Sequence, residues 1–437
     1  MQLKTLLTFV FLIPAVLFAA ENFRLEDLLS KNGKLMWDLN QEQLRIVSKL
    51  PLHSQDKHDN ILRFYDKDTA DKITLCGHAV PEVIFNFNKR KMQSVIISVY
   101  NRGDNGLINE NEFNTLAAKV EKYIADLSQN SSPVNESRKF DKFHVVSQTY
   151  KGADSDFIIR RNRRGRHSEY IQLLIYPAGK APKINESLQA NINRKELSLN
   201  LILDKNGDSY IDVPMVNQGR KGYCAGATIE RLMKYYGSNI DQQIIAQFAE
   251  TDSYEGTDVR KLYNFLKSND SKLKVHVDKL MHDITLETNE DIEKFHILYN
   301  SFAKKRKRPR INLKNFVSGK GRNRKIDFPA LFGNYEYEVF KNARCRNEKM
   351  VEKFNKNVKE YLDKGIPLIW VTYTFSNTAK GQPMGEISMH MRIINGYNEK
   401  SNIIIYTDSW GKGHEKKRLS LNDAWARTLM LIAVSPR

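Results

Sequence analysis

The stretch VPMVNQGRKGYCAGATIERLMKYYG, from Val213 to Gly237, decides the fold. It places a glutamine and a glycine-rich loop directly before Cys224, which is followed by an amphipathic helix predicted over Ala225 to Tyr236 and ended by a C-cap glycine. A cysteine at a helix N-terminus lies at the positive end of the helix dipole, which favours the thiolate and lowers the thiol pKa. Gln218, six residues earlier, is placed to direct its amide towards a charge that develops beside the sulfur. The stretch therefore predicts a nucleophilic thiol.

A thiol nucleophile needs a base for its proton and a polar group that orients the base. Of the ten histidines, His390 is the best placed, because it opens an apolar strand that turns into a second strand ending at Asp408. Paired strands can bring these two residues side by side although eighteen positions separate them. A histidine on an apolar strand is by itself more often a hydrogen-bonded core residue. The assignment therefore depends on the order of all four residues, Gln218, Cys224, His390 and Asp408.

This order, together with the Ser409-Trp410-Gly411 turn after the aspartate, resembles the papain-like cysteine peptidases. That family has a Gln-Gly loop, a helix headed by cysteine, a histidine on a strand and an Asn-Ser-Trp-Gly turn. The Cys-Ala-Gly-Ala sequence and the helix ending in Tyr-Tyr-Gly look more like the bacterial double-glycine-leader peptidases of the bacteriocin-processing type, in which aspartate takes the third position. The resemblance covers about Ile211 to Arg437 and leaves the first half of the chain unexplained.

The resemblance implies an α+β fold in which a helical lobe and an antiparallel-sheet lobe form a two-lobed domain around a cleft. Cys224 would attack the substrate carbonyl, His390 would take and return the proton, and Asp408 would hold the imidazole. Gln218 and the backbone N–H of Cys224 would form the oxyanion hole. Trp410 would shield the hydrogen bond between the histidine and the aspartate. The expected substrate-binding residues are Gly222, Tyr223, Met389 and Trp410.

These residues predict a cysteine hydrolase that cleaves peptide bonds through a thioester intermediate, with no cofactor and no metal. Arg220 and Lys221 replace the small residues common in the family, and their charges are expected to lower the pKa of Cys224 further. Two alternatives stay open. An amine can resolve the same thioester instead of water, which would make the protein an acyl transferase of the transglutaminase kind. The fold could also serve as a binding protein with a silent triad, attached to an anionic surface.

The chain of 437 residues is too long for one ordinary core, so two or three domains are expected. Its formal charge of +18 favours anionic partners such as an acidic polymer or a lipid surface, without indicating a specific nucleic acid. Two basic segments are candidates for such a contact, Arg160 to Arg166 at a predicted hairpin tip and Lys304 to Lys325. The alternative is that both are solvated loops.

The first twenty residues have the layout of a secretory signal, with Lys4, an apolar run from Leu6 to Phe18 and two alanines. The run is short for a membrane span, which takes roughly 20 apolar residues. We therefore expect an exported, periplasmic or secreted protein without a transmembrane helix in its mature form. The predicted organisation is a signal peptide (1–20), an N-terminal α+β module of inhibitory or docking role (21–185) and a papain-like peptidase domain (200–437).

Hydrophobic periodicity predicts the remaining elements. Strands are expected at Ile73–Cys76, Val83–Phe87, Val95–Tyr100, Phe143–Tyr150, Phe157–Ile159, Tyr170–Tyr176, Leu368–Phe375, His390–Tyr397, Ile403–Tyr406 and Leu429–Val434. Helices are expected at Asn111–Leu127, Asp241–Glu250, Asp258–Leu266, Asn289–Arg306 and Met350–Lys364. The polar segment from Asn130 to Asp141 indicates a loop. The three cysteines, Cys76, Cys224 and Cys345, do not form a disulfide framework.

Overall fold

The structure is a computed structural model that describes residues 23–30, 36–55, 59–65, 73–140, 143–164, 167–182, 190, 192–219, 222–238, 245–246, 257–283, 288–319 and 321–437. The predicted signal peptide lies outside these residues, as do Arg220 and Lys221. The helix predicted from Asp241 to Glu250 also lies outside them, apart from residues 245–246. These three features therefore stay predictions.

The N-terminal half contains an eight-stranded sheet, the N-terminal sheet, in which all neighbouring strands are antiparallel. The helix Glu110–Leu127 begins with a capping box between Asn109 and Glu112 and buries Phe113 and Val120 in the core of this sheet. In spatial order the strands are His53–Ser54, Ile61–Tyr65, Glu82–Asn88, Lys91–Asn101, His167–Pro177, Ser155–Arg164, Phe143–Lys151 and Val134–Phe140.

Smaller elements complete this half of the chain. A three-stranded sheet of Phe23–Arg24, Ile73–Leu75 and His78–Ala79 lies with the helices Leu25–Ser30, Met36–Asp38, Gln41–Ser48 and Arg102–Asn105. Leu25, Leu44 and Ile73 belong to the same buried cluster as the residues of the N-terminal sheet. The N-terminal half therefore shares one hydrophobic core.

Two predictions in this half were wrong. The segment predicted as a loop contains the strand Val134–Phe140, which pairs along its whole length with Phe143–Lys151 at the edge of the N-terminal sheet. Arg160 to Arg164 belong to the strand Ser155–Arg164 and not to the turn, although this strand pairs with His167–Pro177 in the predicted hairpin. Arg161 and Arg163 there form ion pairs with two glutamates of the helix Glu110–Leu127, at 2.9 and 2.6 Å. Their charge is therefore already matched within the protein.

The C-terminal half is built around a second antiparallel sheet, the C-terminal sheet. Its strands, in spatial order, are Leu201–Leu203, Ser209–Ile211, Ile387–Asn398, Leu368–Phe375, Thr428–Pro436 and Val275–His282, and Ile403–Thr407 pairs both with Ile387–Asn398 and with Lys417–Ser420. The four strands predicted between Leu368 and Val434 are confirmed, whereas Val275–His282 is an additional one. The sheet provides the scaffold on which the predicted site residues lie.

Helices surround this sheet. They are Cys224–Tyr235, Val259–Ser268, Asp270–Leu273, Asn289–Lys305, Phe328–Gly333, Tyr337–Arg344, Glu348–Asp363 and Leu421–Arg427, with 3-10 turns at Arg194–Asn200, Leu313–Phe316 and Gly321–Asn323 and a short hairpin of Val317–Ser318 and Lys325–Ile326. The mixture of helices and antiparallel sheets confirms the α+β class, while the two-lobed arrangement stays a prediction. Among the described helices, none is long and apolar enough to cross a membrane.

The helix Cys224–Tyr235 packs against the C-terminal sheet. Its residues Ile229 and Leu232 share a buried cluster with Ile369 and Ile432 of the sheet. The helix ends before Gly237, whose φ of 75° favours glycine and whose N–H closes the last turn on Lys234. Burial of this helix, in which every residue from Ala225 to Met233 is buried, therefore fixes how its N-terminus lies relative to the strands.

Candidate active site

Cys224 is the first residue of its helix, as predicted, and its side chain is partly exposed. One turn later, the Thr228 hydroxyl donates to the carbonyl of Met391 at 3.2 Å, which holds the helix against the strand that carries His390. Burial raises the pKa of the thiol. This effect is outweighed by the hydrogen bond and the positive charge of His390 and by the backbone N–H groups of Met391 and Ala225. The pKa of the thiol therefore lies below its ordinary value of 9.0. The environment therefore favours a thiolate.

His390 lies on the strand Ile387–Asn398, and only 7% of it is exposed. Burial alone would lower its pKa, but the hydrogen bonds to Asp408 and to Cys224 and the negative charges of both groups raise it to about 9. Its Nε2 is hydrogen-bonded to Asp408 Oδ1, which leaves Nδ1 as the ring nitrogen for the thiol. The downward shift of the thiol pKa and the upward shift of the imidazole pKa both favour an ion pair of thiolate and imidazolium.

Asp408 follows the strand Ile403–Thr407 and is completely buried. The strand register pairs Thr407 with Ile393, so the next residue, Asp408, lies near the start of the His390 strand. Its second oxygen, Oδ2, accepts a hydrogen bond from Arg392 Nε at 3.1 Å. Although burial raises the pKa of the carboxyl group, the histidine and the nearby cations lower it below its usual range, so the residue stays ionised.

Gln218 contacts the turn that carries Asp408. Its backbone N–H donates to the carbonyl of Ser409 at 2.8 Å, and its Oε1 accepts from the Ser409 hydroxyl at 2.6 Å. Because the amide oxygen is held in this way, the Nε2 group is the part of the side chain that is left to donate. Two hydrogen bonds therefore connect Gln218, the predicted oxyanion donor, to the turn that carries Asp408, the predicted orienting residue.

The four predicted substrate-binding residues differ in their surroundings. Trp410 is 43% exposed and stacks on His390, with ring centres 4.8 Å apart and planes inclined by 24°. Met389 is 57% exposed on the same strand as His390, and Gly222 is partly exposed. The Tyr223 ring is buried, and its hydroxyl donates to Asn101 of the N-terminal sheet, so this side chain is not presented to a substrate.

Sequence reasoning missed two arginines that organise the site. Arg392 lies two residues after His390 on the same strand, so the period of two that places side chains on one face of a strand could have identified it. Arg231 lies on the Cys224 helix and is 1% exposed. It donates to the carbonyls of Pro214 and Asp408 at 2.8 and 2.9 Å, and to Thr407 Oγ1 at 2.6 Å. It thereby connects three segments of the site.

The three cysteines are free. Burial raises the pKa of Cys76 and of Cys345 to about 11, so neither environment favours a thiolate at neutral pH. Within the described residues, no group of three or more His, Cys, Asp or Glu side chains is arranged to hold a metal ion. Thiol chemistry centred on Cys224 is the chemistry that this arrangement supports.

Comparison with known proteins supports the same class of protein. Residues 320–429 match the sequence model of the Peptidase_C39 like family. The matched segment contains His390 and Asp408, whereas Gln218 and Cys224 precede it. No curated protein shows a significant match to the chain. The family match confirms the resemblance predicted from the motifs: residues 320–429 are similar to the papain-like cysteine peptidases of the C39 type.

Proposed function

We propose that the protein is an exported cysteine peptidase that uses Cys224, His390 and Asp408 as its catalytic triad. The observation that carries the proposal is the placement of His390, which is hydrogen-bonded to the buried carboxylate of Asp408 and interacts with the thiol of Cys224. A family match of the cysteine-peptidase type supports it independently. Export rests on the amino-acid pattern of residues 1–20.

In the proposed mechanism the Cys224 thiolate attacks the carbonyl carbon of the scissile peptide bond, and the electrons of the C=O bond move to oxygen. Gln218 Nε2 and the Cys224 N–H donate to this oxyanion. Protonated His390 transfers its proton to the leaving nitrogen as the C–N bond breaks, which releases an amine and leaves a thioester. Neutral His390 then takes a proton from water, which attacks the thioester and releases the acid and the thiolate.

Asp408 and Trp410 support the base in this mechanism. The carboxylate of Asp408 fixes the ring orientation of His390 and stabilises its positive charge. Trp410 covers one face of the imidazole and limits the access of water to the hydrogen bond. Neither group exchanges a proton with the substrate.

To test this proposal, the mature protein is treated with a thiol-directed epoxide and, separately, incubated with a peptide library of random sequence. We expect labelling and cleavage, with both lost in Cys224→Ala. Labelling with amine incorporation and without hydrolysis would assign the chain to the acyl transferases. A folded protein that is not labelled at neutral pH would contradict the catalytic proposal and favour a silent triad. Cell fractionation with amino-terminal sequencing tests export, and protein found only in the cytoplasm with residues 1–20 intact would contradict it.

We further propose that the Lys304 to Lys325 segment, and not the Arg160 to Arg166 segment, attaches the protein to an anionic surface or polymer. In the first segment Arg308 and Arg324 pair with glutamates, but the side chains from Lys304 to Lys307 and Arg310 are exposed. In the second segment Arg161 and Arg163 are paired with glutamates. Replacing Lys304 to Lys307 with glutamine should lower the salt concentration that elutes the protein from heparin. Retention that survives this change would exclude the cluster as the anchor.

A further inference from the structure

A buried hydrogen bond from the N-terminal sheet holds the residue before Gln218. Arg63 is 3% exposed and donates from Nη1 to the carbonyl of Asn217 at 2.7 Å. Its guanidinium group is fixed in turn by an ion pair with buried Glu82. The neighbouring Gly219 has a φ of +74°, and a Cβ there would lie 2.9 Å from Arg63 Nη2. A glycine therefore permits both the turn and the close approach to the arginine.

A second buried hydrogen bond holds the residue before Cys224. The Tyr223 hydroxyl donates to Asn101 Oδ1 at 2.8 Å. Asn101 is 1% exposed and is itself held at both ends, because its Oδ1 accepts from Gly103 N at 2.8 Å and its N–H donates to Asn105 Oδ1 at 2.9 Å. A Cβ on Gly103 would lie 2.8 Å from the tyrosine hydroxyl, so the contact is closely packed.

The two contacts lie at the two ends of one loop. Residues 217 and 223 directly precede Gln218 and Cys224, which carry the proposed oxyanion donors. Glycines at 219 and 222 give the backbone of this loop more conformational freedom than other residues would. Fixing both ends of the loop to the N-terminal sheet reduces the conformational freedom that the loop has to lose when its N–H groups bind the oxyanion.

We propose that the N-terminal sheet is a permanent part of the active site, and that Arg63 and Asn101 are positioning residues for the oxyanion hole. This inference rests on the proposed function. It differs from the inhibitory or docking role expected from the sequence, because an inhibitory domain has to cover the thiol, whereas these contacts hold the residues beside it. Both residues act through the loop and have no contact with the reacting atoms.

The proposal predicts a specific kinetic signature. The oxyanion develops in the transition state and persists in the tetrahedral intermediate but is absent from the bound substrate, so misplacing its donors lowers kcat and leaves KM nearly unchanged. The thiolate depends on His390 of the C-terminal sheet, which the changes do not touch. The pH dependence of alkylation of Cys224 by iodoacetamide should therefore be the same in the variants and in the wild type.

Four variants of the full-length protein test this inference on a fluorogenic peptide that the library identifies as cleaved. Tyr223→Phe and Asn101→Ala each remove the second contact, and Asn101→Asp keeps its acceptor oxygen. Ser155→Ala is the control, because the Ser155 hydroxyl accepts from Trp37 Nε1 at 3.0 Å within the N-terminal half, away from the loop. Rates are expressed per thiol that the epoxide labels, so unfolded protein does not contribute.

We expect kcat to fall on the order of 10- to 100-fold in Tyr223→Phe and Asn101→Ala. KM should change by less than about threefold, Asn101→Asp should recover most of kcat, and Ser155→Ala should match the wild type. A kcat in Tyr223→Phe equal to that of Ser155→Ala, in an active wild type, would overturn the role of Asn101 and, with it, the inference that the sheet has to hold both ends of the loop. It would leave the proposed function intact. Should Asn101→Ala not fold, Tyr223→Phe carries the same test because it removes one oxygen atom. A wild type that neither reacts with the epoxide nor cleaves peptides would refute the proposed function, and this inference with it.

Discussion

Replacing Arg231 with methionine should destabilise the protein and reduce its activity at the same time. The guanidinium group donates three hydrogen bonds, to the carbonyls of Pro214 and Asp408 and to Thr407 Oγ1. Methionine has a similar length and no donor, so it leaves the buried carbonyl of Asp408 and the part-buried carbonyl of Pro214 without this partner. The acceptor Thr407 Oγ1 keeps a second hydrogen bond, to the carbonyl of His414 at 3.0 Å. The loss of the two hydrogen bonds to carbonyl groups should therefore account for most of the destabilisation.

Hydrogen bonds from a charged donor contribute about 1.5–3 kcal/mol each. Two effects offset part of this loss: the methionine side chain is buried, and the guanidinium no longer has to be desolvated. The cost of desolvation is large enough to lower the pKa of Arg231 to about 10. We therefore expect the free energy of unfolding to fall by about 2–4 kcal/mol, less than the sum of the two hydrogen bonds. The Asp408 turn also loses a support, so kcat should fall by about tenfold or more.

Urea unfolding followed by circular dichroism measures the first effect, and peptide cleavage per labelled thiol measures the second. Arg344→Met is the matched control, because Arg344 is also buried and donates to the carbonyls of Ala426 and Thr428, at 3.2 and 2.6 Å. Because Arg344 also forms an ion pair with Asp283, its replacement should lower the urea midpoint at least as much as that of Arg231, without changing kcat per labelled thiol. An Arg231→Met protein with the midpoint and kcat of the wild type would refute the argument that this arginine connects the segments of the site.

Three further outcomes are expected. The kcat/KM of peptide cleavage should be maximal when the ion pair of Cys224 and His390 is present. It should fall as the pH rises through about 9, because the histidine loses its proton there. A rate that rises through pH 9 would contradict this. Because Asp408 raises the pKa of His390, Asp408→Asn should move the alkaline limb to lower pH, and an unchanged limb would exclude this coupling. Iodoacetamide at neutral pH should modify one thiol per chain, at Cys224, because burial raises the pKa of Cys76 and Cys345 to about 11; mass spectrometry that finds either of these alkylated first would contradict the assignment.

The elements with regular patterns could be predicted from the sequence. The strand Leu368–Phe375 and the helix Asn289–Lys305 agree with prediction almost residue by residue, because their apolar residues follow the period of one kind of element. The strand Val134–Phe140 could not be recognised in this way. It lies at the edge of its sheet and is polar and charged, a composition that discourages edge-to-edge association and also hides the strand signal.

The residues of the candidate site also divide into those that could be predicted from the sequence and those that could not. Cys224, His390 and Asp408 could be proposed because their order and neighbours resemble a known family, and the structure places them in one interacting group. Arg63 and Asn101 could not be identified, because they lie more than a hundred residues before the loop that they contact. Nothing in their local sequence indicates a role outside the N-terminal sheet, and only tertiary structure reveals such contacts.

The stacking of Trp410 on His390 has an optical consequence. A protonated imidazole in contact with an indole accepts an electron from its excited state and quenches its fluorescence, whereas the neutral ring quenches much less. Because the two rings are in face-to-face contact, the emission of this tryptophan depends on the charge of the histidine. Burial lowers the pKa of His414, which also contacts this indole, with ring centres 5.4 Å apart, so the change in emission at higher pH belongs to His390. The protein therefore carries its own fluorescent indicator of proton occupancy at this position, which can be followed in the absence of any substrate.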